Sequence, residues 1–113
     1  MGVLKFTLLS LMLLTVVNGF PDYQNLIPNG FRVFDVFGPW PGVGHINRRG
    51  GGQLNPFGND FKNNNFRWTR RLCLRDSDGD GLSNGRELGD PNCVWIVGQP
   101  SPPGPVTHPG FRD

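Results

Sequence analysis

The twelve residues DSDGDGLSNGRE, 76 to 87, decide how the rest of this chain is read. Asp76, Asp78 and Asp80 alternate with small residues, Gly81 follows, and Glu87 closes the stretch eleven residues after Asp76. That is the register of a calcium loop, with oxygen ligands at positions 1, 3, 5, 7, 9 and 12 and a glycine at position 6. Leu82, at position 7, offers only its backbone carbonyl, and Asn84 stands at position 9. A solvated turn is the competing reading, because Asp and Gly also dominate turns. Four carboxylates this close repel one another and raise their own pKa values, and a dication removes that cost. Calcium is therefore the favoured occupant. A weak site would stay largely filled at the millimolar calcium outside cells.

The flanks argue against a paired EF-hand sensor. Upstream, FRWTRRLCL (66–74) suits a helix with Trp68 and Leu72 on one face. Downstream, Gly89 and Pro91 stop any helix almost at once, leaving a stub over about 83–88. The expectation is one EF-hand-like loop with a structural ion. Arg67, Arg71 and Arg75 fall on one stripe of the upstream helix, with Arg70 beside them. Two readings of that stripe stay open: a solvated face that balances nearby aspartates, which charge considerations favour, or a face for an acidic partner or sulfated glycan.

Two cysteines bracket the acidic loop, Cys73 three residues before Asp76 and Cys93 six after Glu87. In a secreted chain they point to one intrachain disulfide, with an intermolecular bridge or free thiols as alternatives. A zinc site is disfavoured, since His45 and His108 are remote from both thiols in sequence.

The compartment follows from the first residues. Residues 1–19 carry one cation, Lys5, then LLSLMLLTVV, then small residues at Val17 and Gly19. That is the layout of a secretory signal peptide cut before Phe20, with an uncleaved anchor as the alternative. The apolar run is too short to span a bilayer, and no later stretch is apolar enough. Residues 20–113 then form a single domain with a Pro-rich tail from about 99.

The 113 residues include 17 glycines and 11 prolines, yet also nine Phe and three Trp, more aromatic mass than a disordered chain carries. We expect a small, loop-rich α+β domain with short helices, few short strands, one disulfide and one calcium loop. A net charge of +2 gives no case for nucleic-acid binding. No Asn-x-Ser/Thr sequon is present.

Along the chain, FRVFDVF (31–37) reads as a strand, and GPWPGVGH (38–45) as a rigid turn fixing Trp40. RRGGGQL (48–54) reads as a flexible loop. Phe57 and Phe61 stand four apart, which predicts a short helix from Pro56 to Asn63, ended by NNN at 63–65. VWIV (94–97) reads as a brief buried strand. The tail PSPPGPVTHPG (100–110) is polyproline-like, either free or laid across the domain. His45 suits a structural hydrogen bond, and neither histidine belongs to an acid–base motif. No nucleophile–base arrangement or phosphate-binding loop appears, so no enzyme is expected.

WPGVGH (40–45), GGG (50–52), NPFGNDF (55–61), WTRRLC (68–73), DSDGDGLSNGRELGDPNCVW (76–95) and HPG (108–110) together resemble the temptin family across nearly all of the mature chain. Temptin-like proteins are small, secreted molluscan proteins found in water-borne attractant pheromone mixtures. The resemblance implies a Cys73–Cys93 disulfide and an extracellular role exercised through other secreted proteins or a receptor. Some family members carry a second cysteine pair that ties the N-terminal segment to the tail. FDVFGPW (34–40) and HPGFRD (108–113) contain no cysteine, which implies looser ends and excludes an EGF-like scaffold of three disulfides. Alternative roles are an extracellular or shell-matrix calcium-binding protein, which the near-neutral charge disfavours, and a hormone precursor cleaved at Arg48–Arg49 or Arg70–Arg71.

Overall fold

A computed structural model describes residues 23 to 112. The expected signal segment 1–19 lies outside the described residues. A single 3-10 turn, Tyr23–Leu26, leads into a minimal hairpin, β1 (Phe34–Asp35) paired antiparallel with β2 (Gly38–Pro39). Three short helices follow: α1 (Pro56–Asn63), α2 (Arg70–Leu74) and α3 (Asn84–Glu87).

Helix α1 has the predicted bounds, and its sequence shows why. Asn55 caps it by accepting from the Gly58 amide at 2.9 Å, and Pro56 occupies the first turn, where its missing N–H costs nothing. Phe57 and Phe61 are buried one turn apart. Asn64 ends the helix, and Asn65 and Phe66 turn the chain away with φ of 60° and 58°. The Asn55 side chain also donates to the carbonyls of Val43 (2.8 Å) and His45 (3.1 Å). One buried amide thus joins the helix start to the 42–45 turn.

The core comprises Ile27, Val33, Val43, Phe57, Phe61, Leu72 and Leu88, with Tyr23, Leu26, Trp40, Trp68 and Val106 against its edge. Tyr23 stacks on Phe66 (4.9 Å between centroids) and meets Phe61 edge-on (5.8 Å). So small an interior needs support, and hydrogen bonds and the disulfide provide it.

Four sequence expectations are corrected. Residues 31–37 do not form a full strand: only Phe34 and Asp35 pair, and Val33 alone of the seven is buried. Residues 94–97 form no strand either. Val94, Ile96 and Val97 are exposed, and Trp95 is held instead by Asp90, whose carboxylate accepts from its backbone amide. Helix α2 starts only at Arg70, because Thr69 caps it by accepting from the Leu72 amide. Arg67 and Trp68 therefore precede the helix, Arg75 is its C-cap, and Arg67, Arg71 and Arg75 share no helical stripe.

The fourth correction concerns the chain ends. The tail lies across the domain and is bound to the N-terminal segment without a second disulfide. The Asn29 side chain donates to the Leu88 carbonyl (2.8 Å) and the Pro102 carbonyl (2.9 Å), and Arg32 donates to the Gly104 carbonyl (2.9 Å). Trp40 packs against His108 and Phe111, with centroids 5.1 and 5.2 Å away. Aromatic packing and buried amides close the two ends that the resemblance left open.

Candidate metal centre

Helices α2 and α3 pack against each other and hold the acidic loop between them. Cys73, in α2, is bonded to Cys93 (S–S 2.01 Å), so the bridge closes the segment that contains the loop. Gly85 sits where an added Cβ would meet the Cys73 sulfur and the Asp90 carbonyl. Only glycine fits that junction.

The loop is folded by its own carboxylates. Asp76 accepts from the amides of Asp80 (3.2 Å) and Gly81 (2.9 Å), and Asp80 accepts from the Leu82 amide at 2.9 Å. Gly79 and Gly81 have φ of +70° and +95°, which side chains rarely adopt. Ligand atoms of Asp76, Asp78 and Asp80 all lie within 4.8 Å of one another. The Asp78 Oδ2 atom is buried with no hydrogen-bond partner. Burial, reinforced by the neighbouring Asp80 carboxylate, pushes the Asp78 carboxyl up to about 7. Burial also acts to raise Asp80, but the Leu82 amide that donates to it, together with the neighbouring Glu87 and Asp78, outweighs burial and holds that carboxyl below its ordinary range.

The other candidates divide. Glu87 is fully buried, interacts with Asp80, and accepts from the Thr107 hydroxyl at 3.3 Å. Leu82 is an exposed loop residue. Asn84 is fully buried and serves the fold: its amide donates to the Leu72 carbonyl and the Ser77 hydroxyl, both at 2.9 Å, while its oxygen accepts from the Ser77 amide at 3.3 Å. Arg71 is exposed, and Arg75 pairs with Asp60 at 2.9 Å.

Several residues around the loop carry no signal in the sequence. Asp60, on α1, accepts from the Ser77 hydroxyl at 2.6 Å and so ties that helix to the loop. The Thr107 amide donates to the Glu87 carbonyl at 2.8 Å, and Arg112 donates to the Asp78 carbonyl at 3.1 Å. The tail thus crosses the rim of the acidic cluster, a contact between residues 34 apart in sequence.

His108 accepts from the Gly110 amide at 2.9 Å, and burial pushes its imidazole down to about 4, against a smaller upward pull from Asp35. The His45 ring makes no structural hydrogen bond among the described residues. Its backbone carbonyl accepts from Asn55 and Trp40 instead.

Comparison with known proteins follows the same residues. A family model described as Temptin C-terminal matches residues 17–111. A relative named Temptin, from Aplysia californica, is 50% identical over 111 residues, covering 90% of this chain and 85% of the relative. No solved structure matches.

Proposed function

The chain belongs to the temptin family, and from that premise we propose that it is a secreted component of a water-borne attractant mixture, acting by association with other proteins and stabilised by one calcium ion. The observation that carries the attractant reading is the 50% identity to Temptin across 90% of the chain. This reading includes no catalytic step.

Calcium is supported by the buried, partnerless Asp78 oxygen inside a cluster of three carboxylates. Asp76, Asp78, Asp80 and Glu87 would hold the ion with the Leu82 carbonyl, while Asn84 stays committed to α2 and Ser77. The ion would supply positive charge where three carboxylates face one another. Glu87 and Asp78 also anchor the tail, Glu87 through its carboxylate, which accepts from Thr107, and Asp78 through its backbone carbonyl, which accepts from Arg112.

Calorimetric titration of the disulfide-bonded secreted protein tests the calcium reading. One ion should bind the wild type, and Asp76→Ala should lose both the binding and the calcium-dependent rise in melting temperature. A melting curve indifferent to chelator would remove calcium from the proposal. The attractant reading is tested by withdrawing the protein from the secreted mixture and restoring it, with attraction expected to fall and recover.

A further inference from the structure

The hairpin breaks the usual chemistry of a tight turn. Phe34 pairs with Pro39 and Asp35 with Gly38, so Val36 and Phe37 form the two-residue tip. Tight hairpin turns favour Gly, Asn and Asp, whose short or absent side chains suit the geometry and the solvent. Here the tip exposes Val36 at 91% and Phe37 at 85%. Neither belongs to the core. The turn is made by Asp35, whose Oδ1 accepts from the Phe37 and Gly38 amides at 2.8 and 3.1 Å. The backbone geometry therefore needs neither large side chain. A local rule broken without structural return is the mark of a functional site.

The tip does not stand alone. Phe34 is 51% exposed on β1 and Phe31 is 56% exposed just before it. Phe31 lines two shallow clefts. One, of about 270 Å³, runs along Val33, Pro39 and Trp40; the other, of about 310 Å³, runs along Trp95, Val97 and Gln99. An exposed apolar side chain therefore borders two concavities close in sequence to the exposed tip, and docking surfaces combine such features.

Its charge selects the occupant. Asp35 is neutralised by Arg48, with contacts of 2.8 and 2.6 Å. Arg32 and Arg49 are exposed and make no ion pair among the described residues. The face is apolar with an unbalanced positive margin. A second copy would set these arginines against one another across a two-fold axis. An anionic bilayer would draw on only two cations, each worth about 1 kcal/mol, and would leave the clefts unfilled. Resting on the reading that this protein acts by association, we propose that Val36, Phe37, Phe34 and Phe31 form its docking surface for a partner protein that offers an apolar segment flanked by carboxylates.

A short helical peptide of leucine and glutamate serves as the probe, with a counterpart in which lysine replaces every glutamate. Calorimetry on the secreted, disulfide-bonded protein should show binding of the acidic peptide and not of the basic one. Val36→Ser/Phe37→Ser should weaken that binding by about tenfold or more, as for a hot spot, and leave the melting temperature unchanged. Arg49→Gln should weaken it less, and more visibly at low salt. The proposal is overturned if the double variant binds the acidic peptide as the wild type does, or if the variant melts lower because the tip is structural. Equal binding of both peptides overturns it too. So does dimerisation that the double variant abolishes, or binding confined to phosphatidylserine vesicles. Attraction that is unchanged when the protein is withdrawn from the mixture, with peptide binding intact, would count against the proposed function and not against this surface.

Discussion

His108 shows how one buried side chain sets a pH dependence. Its imidazole stays neutral in the folded protein down to about pH 4, whereas in the unfolded chain it takes up a proton near 6.5. Between those values the unfolded state binds more protons, so folding stability falls as pH drops through that window. At about 1.4 kcal/mol per pKa unit, the depression is worth roughly 3 kcal/mol across the window. His108→Phe should lower the melting temperature at pH 7, because the Gly110 amide loses its acceptor. It should also flatten the decline between pH 6.5 and 4 relative to wild type. Thermal melts of the two proteins across that range check both effects. Equal slopes would mean that His108 titrates normally. The short range of most carboxylate contacts explains why Asp76, Asp78 and Asp80 were legible in the sequence: residues two apart in a tight loop have nowhere else to go. The partners of His108 were not legible, because Trp40 reaches it from the far end of the chain.

At the scale of elements, the tail and the acidic loop act as one unit. Arg112 donates to the Asp78 carbonyl, and its guanidinium lies against Gly79. That places a tethered positive charge beside the carboxylates that calcium would occupy. Arg112→Gln should therefore tighten calcium binding by roughly three- to tenfold at low salt, and by less at high salt. Were Arg112 only a structural strap, the variant would bind calcium more weakly at every salt concentration; calorimetry in two buffers separates the cases. Helix α1 and the α3 stub were readable because the Phe57–Phe61 spacing and the stops, Asn63–Asn65 and Gly89 with Pro91, lie within a few residues of one another. The segments 31–37 and 94–97 misled because apolar content signals burial only when something is there to cover it. Here Phe37 and Val94 face water.

For the whole molecule, the disulfide and the stitched ends do what a larger core would do elsewhere. Replacing both Cys73 and Cys93 by Ser frees a loop of 20 residues, and on the chain-entropy account this costs about 3 kcal/mol. A denaturant titration should show the midpoint falling, with calcium weakening in parallel because the loop must then be ordered on binding. If the reduced-type variant kept both its midpoint and its calcium affinity, the bridge would be incidental to the site. Each dibasic pair of the hormone-precursor reading has a residue built into the fold. Arg48 is held by Asp35 and stacked over Trp40 at 4.7 Å, and Arg70–Arg71 open a helix.

By itself the sequence determined what depends on neighbours along the chain: the loop register, the α1 bounds and the resemblance to the family. The first two are fixed by residues a few positions apart, whereas the cysteine pairing kept its alternatives until the structure joined Cys73 to Cys93. The tertiary structure alone decided where the tail runs, which arginines are paired, and that Asn84 serves α2. It also left the hairpin's aromatics in water. Those outcomes rest on encounters between residues tens of positions apart, such as Asn29 with Pro102 and Arg112 with Asp78. Such encounters arise from packing the whole chain, and no local pattern of residue types encodes them.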